Sequence, residues 1–185
     1  MAEYYYFVAQ LPTLRPDDNL PLTLEGFLSQ AAQFLSPGDY QRLHDALFGD
    51  PLKVKDRRGV AGAWIDFNHR FRNELAFYRA TRAKKDPSLY LRGDRRPDFY
   101  ITQLIEEAAR AENPLAAEKI LDKARWHYLE EMLLGHFFDF EVVLIYGLKL
   151  KMMERYQFVD SDEGRAIFEE YKNFDPNQIA FLASK

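Results

Sequence analysis

The stretch Val60-Ala61-Gly62-Ala63-Trp64-Ile65-Asp66-Phe67-Asn68-His69-Arg70-Phe71-Arg72-Asn73-Glu74-Leu75-Ala76-Phe77-Tyr78 decides the fold of this chain. Trp64, Phe67, Phe71, Leu75 and Tyr78 recur at spacings of three and four. On a helix that spacing gathers large apolar side chains into one stripe. The pattern predicts a helix from about Val60 to Lys85. Tyr78 can bury its ring there and keep its hydroxyl at the edge. Lys84 and Lys85 stand at the C-terminal end, where cations suit the helix dipole, and Asp86-Pro87 closes the helix. A stripe this apolar must be covered by other elements.

Those elements also read as helices. Upstream, Thr23 reads as an N-cap before Leu24, Phe27, Leu28, Ala31 and Leu35. Ser36-Pro37-Gly38-Asp39 is a second start, with Ser36 as cap, Pro37 in the first turn and Asp39 closing a variant capping box. That helix carries Tyr40, Leu43 and Leu47, and Gly49 is read as its C′ stop before Pro51. Residues 50–59 are a polar, basic connection.

Downstream, residues 86–97 form a loop rich in turn formers and arginine. A helix over Asp98–Ala111 is expected to turn Phe99, Leu104, Ile105 and Ala108 inward. Asn113-Pro114 restarts the chain into a helix to about 134, with Leu115, Ile120, Leu121, Ala124, Tyr128 and Leu129 on its apolar side and Trp126 in the core. Gly135 stops it. Asp139 caps a helix over 140–157 with Val143, Leu144, Leu148 and Met152. Asp160-Ser161-Asp162-Glu163 reads as a capping box opening a last helix to about Asn173. In the tail, 174–185, Ile179, Phe181 and Leu182 can dock. Tyr4 to Leu11 admits a strand, a short helix or an extended segment, and a lone strand has no partner. Of Tyr4-Tyr5-Tyr6, two rings are expected in the core and one in solvent.

The fold expectation is therefore all-α, a single domain of about seven packed helices spanning 1–185. Segment 1–22 and tail 174–185 are read as docked additions. Composition agrees. The 185 residues are 47% hydrophobic and 15% aromatic, too rich for a disordered chain. The absence of cysteine removes disulfides, thiolate metal sites and a cysteine nucleophile. No apolar run approaches a membrane span, and no export signal is visible, so a cytoplasmic location without membrane insertion is expected.

The net charge of −4 is unevenly spread. Residues 51–98 carry 13 basic and 6 acidic side chains, while both flanks are net acidic. A basic middle can seek a polyanion, its own flanks or an acidic protein partner. An overall acidic chain repels a phosphate backbone, so nucleic acid is the disfavoured partner. Arg92-Gly93-Asp94-Arg95-Arg96 is the charged cluster most open to a partner, because arginine suits bidentate contacts and interface anchoring.

Catalytic patterns are sparse. No Glu-x-x-His occurs, and His127 with Glu130 and Glu131 reads as a solvated helix face. His136 and Asp139 straddle a helix break. The pairs Glu106-Glu107, Glu130-Glu131 and Glu169-Glu170 diverge by about 100° on a helix. No Gly-x-Ser-x-Gly elbow, Walker loop or Gly-x-Gly-x-x-Gly is present. No catalytic residue, cofactor or metal is assigned.

Several motifs carry a family likeness. They are Tyr4-Tyr5-Tyr6-Phe7-Val8-Ala9-Gln10-Leu11-Pro12, Tyr90-Leu91-Arg92-Gly93, and Ala111-Glu112-Asn113-Pro114-Leu115-Ala116-Ala117-Glu118 running on to Leu121-Asp122-Lys123-Ala124-Arg125-Trp126. Gly135-His136-Phe137-Phe138-Asp139-Phe140-Glu141, Lys149-Leu150-Lys151 and Glu154-Arg155 complete the set. Together they resemble a bacterial family of uncharacterised proteins encoded among V/A-type ATPase subunits. More distantly, Asp139-Phe140-Glu141, Leu148 to Arg155 and Glu163-Gly164 are similar to the C subunit of V-type ATP synthases. That protein is an all-helical socket without catalytic residues, and it is much longer than this chain.

The resemblance implies a non-enzymatic accessory or stalk-associated component of a bacterial V/A-type ATPase, peripheral to the membrane through that complex. The residues assigned to partner binding are Lys84, Lys85, Arg92, Arg95 and Arg96. Two rival readings are a helical nucleic-acid-binding module using residues 53–96 and a helical metalloenzyme using His127, His136 and nearby carboxylates.

Overall fold

The computed structural model describes residues 4–16, 18–49 and 57–160, with Gly164 and Ala166 singly. These residues form seven α-helices in one helical domain, and no strand occurs among them. The helices are α1 Tyr5–Gln10, α2 Leu24–Phe34, α3 Pro37–Phe48, α4 Gly59–Arg82, α5 Phe99–Ala108, α6 Pro114–Glu131 and α7 Phe140–Asp160. A single 3-10 turn, Pro87–Leu89, interrupts the loop after α4.

Local chemistry sets the helix starts. Thr23, Ser36, Asp98 and Asn113 each accept a hydrogen bond from the backbone N–H three residues on. Asp139 does the same for Val142 at the start of α7. Gly135, at φ 88, turns the chain out of α6. Gly49 ends α3 in extended backbone at φ −65, so it is not the left-handed stop expected for it. Lys84 takes that role after α4, at φ 55. The Lys85 N–H reaches the Ala80 carbonyl and the Lys84 N–H reaches Thr81, which is a Schellman closure.

Helix α7 is the axis of the molecule. Val143, Leu144, Ile145, Leu148, Leu150 and Met153 are all buried, which leaves it hydrophobic around its circumference. It packs against α2, α3, α4 and α6. Gly147 allows the closest approach: a β-carbon there would lie 2.9 Å from the Phe27 ring and 3.4 Å from Leu43 and Leu47. The main core joins α7 to Phe7, Phe27, Leu43, Leu47, Val60 and Leu129.

A second core gathers Phe67 and Phe71 of α4, Ile101, Ile105 and Ala108 of α5, and Leu121 of α6. Trp64 touches both cores. The stripe that predicted α4 is thus buried as expected, with Leu75 and Tyr78 at its margin. Phe67 stacks on Tyr128 at 4.0 Å between ring centres, which fixes α6 against α4.

Of the three conformations open to Tyr4–Leu11, the short helix is the one formed, over Tyr5–Gln10. Three expectations are corrected. One tyrosine is buried there, not two: Tyr4 is inside, while Tyr5 and Tyr6 are exposed. Phe99 does not face inward and is 78% exposed. The inner face of α5 is set by Ile101, Ile105 and Ala108, and a residue two before Ile101 points about 200° away. Asp160 is the last residue of α7, where the expectation set it ahead of a new helix. Residues 161–163 of that capping box, the tail 174–185 and most of the 50–59 connection lie outside the described residues.

Candidate functional site

The loop 86–98 runs back along α4 and is fastened to it by two buried polar side chains. Asn73 is 3% exposed. Its amide donates to the Arg92 carbonyl at 3.0 Å, and its oxygen accepts from the Arg92 N–H at 3.1 Å. Glu74 is 2% exposed and receives the Arg95 guanidinium in a fork, at 2.9 Å and 2.8 Å. Thr102 of α5 adds a hydroxyl bond to the same carboxylate at 3.3 Å. Arg95 also lies over the Phe77 ring at 3.6 Å. Arg70 pairs with Asp98 at 2.9 Å, where Asp98 caps α5.

These bonds explain how a loop of turn formers holds one shape. A buried carboxylate is tolerable only when fully paired, and the forked guanidinium supplies that pairing. At the loop's other end, Asp86 accepts from Ser88 at 2.9 Å. Hydrogen bonds from the Ser88 N–H and hydroxyl hold the Asp86 carboxyl below its ordinary range.

The fastened loop presents a mixed surface. Leu89 is 76% exposed and Tyr90 is exposed with it, as are Phe99 and Tyr100 in the first turn of α5. Lys84, Lys85, Arg92 and Arg96 are exposed as well. Among the described residues, none of these four cations has a side-chain partner. Of the five predicted partner-binding residues, Arg95 alone is turned inward, and it serves the loop's shape. The sequence reading missed the four apolar residues that flank the cations. It also missed Asn73 and Glu74, which stand among many other polar residues of α4 and are set apart only by their burial.

Among the described residues, no three His, Asp or Glu side chains are placed to hold an ion. His136 meets Asp139 at 2.6 Å, and His127 meets Glu131 at 3.4 Å on an exposed face. The break between α6 and α7 brings Glu141 to the N–H of Val60 at 3.2 Å, beside Arg42 at 4.0 Å. Burial pushes the Glu141 carboxyl above its ordinary value, against the opposing pull of the Val60 N–H and Arg42.

Fold and surface thus define a single helical domain whose loop after α4 is fixed by buried polar side chains and exposes cationic and aromatic residues. Residues 60–173 match the model of DUF2764, a protein of unknown function, and the chain belongs to that family. No curated protein and no solved structure matches the chain.

Proposed function

We propose that this protein is a non-enzymatic docking component and that the loop following α4 is its contact surface. One observation carries the reading: a loop fixed from beneath by Asn73 and Glu74 exposes Leu89, Tyr90, Arg92 and Arg96, and the first turn of α5 that follows it exposes Phe99 and Tyr100. Interfaces concentrate aromatic residues and arginine, and exposed apolar groups of this size mark contact sites. A loop already held in shape loses little entropy on binding. The partner in this reading is a component of a bacterial V/A-type ATPase, on the strength of the sequence resemblance. The protein would then lie at the membrane periphery through that complex. No helix among the described residues is long and apolar enough to cross a membrane.

The test is capture from the native host with tagged protein. The parent should retain ATPase subunits, and the variant Leu89→Ser/Arg92→Glu/Arg96→Glu/Phe99→Ser should lose them while keeping its helical content. Capture of no ATPase component, together with a native ATPase lacking this protein, overturns the assignment. Retention on a nucleic-acid column at low salt, abolished by raised salt, would favour the nucleic-acid reading instead.

A further inference from the structure

A cleft of about 660 Å³ opens between α6, α7 and the segment before α2. That volume lies within the range of small-molecule sites. It is remote in sequence from the loop after α4 and shares no residue with it. Its wall is apolar and soft: Leu115, Ile120, Trp126, Met152, Met153 and Tyr156 line it. Methionine side chains adapt to the shape of what they touch, and an aromatic ring adds a flat contact face.

The polar groups in the cleft have unequal freedom. Asp122 is buried and already bound by Arg125 and by Arg155. Arg155 also lies 3.6 Å from Glu118. The Asp122 carboxylate is therefore satisfied and does not seek a cation from a ligand. Tyr156 directs its hydroxyl to the Glu118 carbonyl at 3.2 Å. Lys119 and Lys123 differ. They stand one helical turn apart on α6, both lining the cleft. Among the described residues neither has a hydrogen-bond or ion-pair partner. Asp18 is the one other charge on the lining.

We propose that this cleft binds an amphipathic anion, with its apolar body against Trp126, Met152 and Met153 and its carboxylate or similar group between Lys119 and Lys123. The apolar wall supplies most of the affinity through area removed from water. The lysine pair supplies the choice of charge, since a cation of the same shape would meet two ammonium groups at the rim.

The experiment uses the whole chain labelled with carbon-13 in the methionine methyls, of which the sequence has four. Decanoate is titrated below its micelle concentration, beside decyltrimethylammonium as the same chain with opposite charge and acetate as the charge without the chain. Decanoate should shift the Met152 and Met153 signals saturably and leave Met132, which is not among the residues lining the cleft. The other two probes should leave all of them unmoved. Lys119→Gln/Lys123→Gln should weaken decanoate about five- to tenfold, as the loss of two partly exposed charge contacts implies. Neither lysine holds another side chain and glutamine suits a helix, so the fold is not at stake. The proposal is overturned if decanoate leaves Met152 and Met153 unmoved. Equal binding of the cationic probe, or unchanged affinity in the lysine variant, also overturns it.

Discussion

Arg95 and Glu74 form one ion pair, yet removing one partner should not equal removing the other. Glu74 is 2% exposed, whereas the Arg95 side chain is 24% exposed and rests on Phe77. Arg95→Ala strands a carboxylate that the fold keeps buried. Such stranding typically costs about 3–5 kcal/mol. Glu74→Ala leaves a guanidinium that can swing outward and rehydrate, so its cost should be nearer about 1–2 kcal/mol. For a domain of this size, those losses lower the melting temperature by roughly 10 °C and roughly 4 °C respectively.

Urea unfolding followed by circular dichroism reads the difference directly. Replacing both residues with methionine should recover much of the loss, since a packed apolar pair removes the stranded charge. A Glu74→Ala loss equal to or larger than the Arg95→Ala loss would refute the account of which partner is committed to the interior.

Three further outcomes follow from backbone and burial. Lys84→Gly should stabilise the protein by about 1 kcal/mol, since a β-carbon is unfavourable at φ 55; a thermal melt shifted upward by roughly 3 °C checks it. Gly147→Ala should destabilise by about 1–3 kcal/mol in urea unfolding, because the added methyl presses on Phe27 across the main core. For Glu141→Gln the expectation is a pH dependence. The folded pKa of Glu141 is raised above 4.5, so its contribution is full below that value and is lost as pH rises through the folded pKa. Stability of Glu141→Gln relative to the parent should therefore rise across the same interval, and a flat or falling difference would contradict the burial of that carboxylate.

Much of the fold was legible because helix starts are written in short range. Thr23, Ser36, Asn113 and Asp139 each announce a helix by residue type, and each does cap one, while Asp98, read as the first residue of α5, is its cap. The α4 stripe was legible for the same reason, through its spacing. Failures arose where a three-dimensional neighbour decides. Phe99 has the composition of a core residue, but the face of α5 is chosen by Ile101 and Ile105 against α4 and α6. The role of Gly147 depends on a ring from α2, far away in sequence. At the site, the arginines were legible as charge. Only the structure separates Arg95, which Glu74 holds inward, from Arg92 and Arg96, which remain outside.

That separation changes what the basic middle of the chain can do. Between residues 57 and 98, Arg57 meets Asp66, Arg70 meets Asp98 and Arg95 meets Glu74, so part of the local excess is answered inside the chain. The cations left outward share the stretch 84–100 with exposed Leu89 and Tyr90 of the loop and Phe99 and Tyr100 of the first turn of α5. A phosphate backbone rewards the number of cations and the path they trace, and gains little from a leucine or a phenylalanine placed beside them. A protein surface with apolar hollows and acidic side chains rewards both kinds of group at once. The fixed geometry then acts as a filter, since a partner must match apolar and charged positions together and cannot satisfy the loop by charge alone.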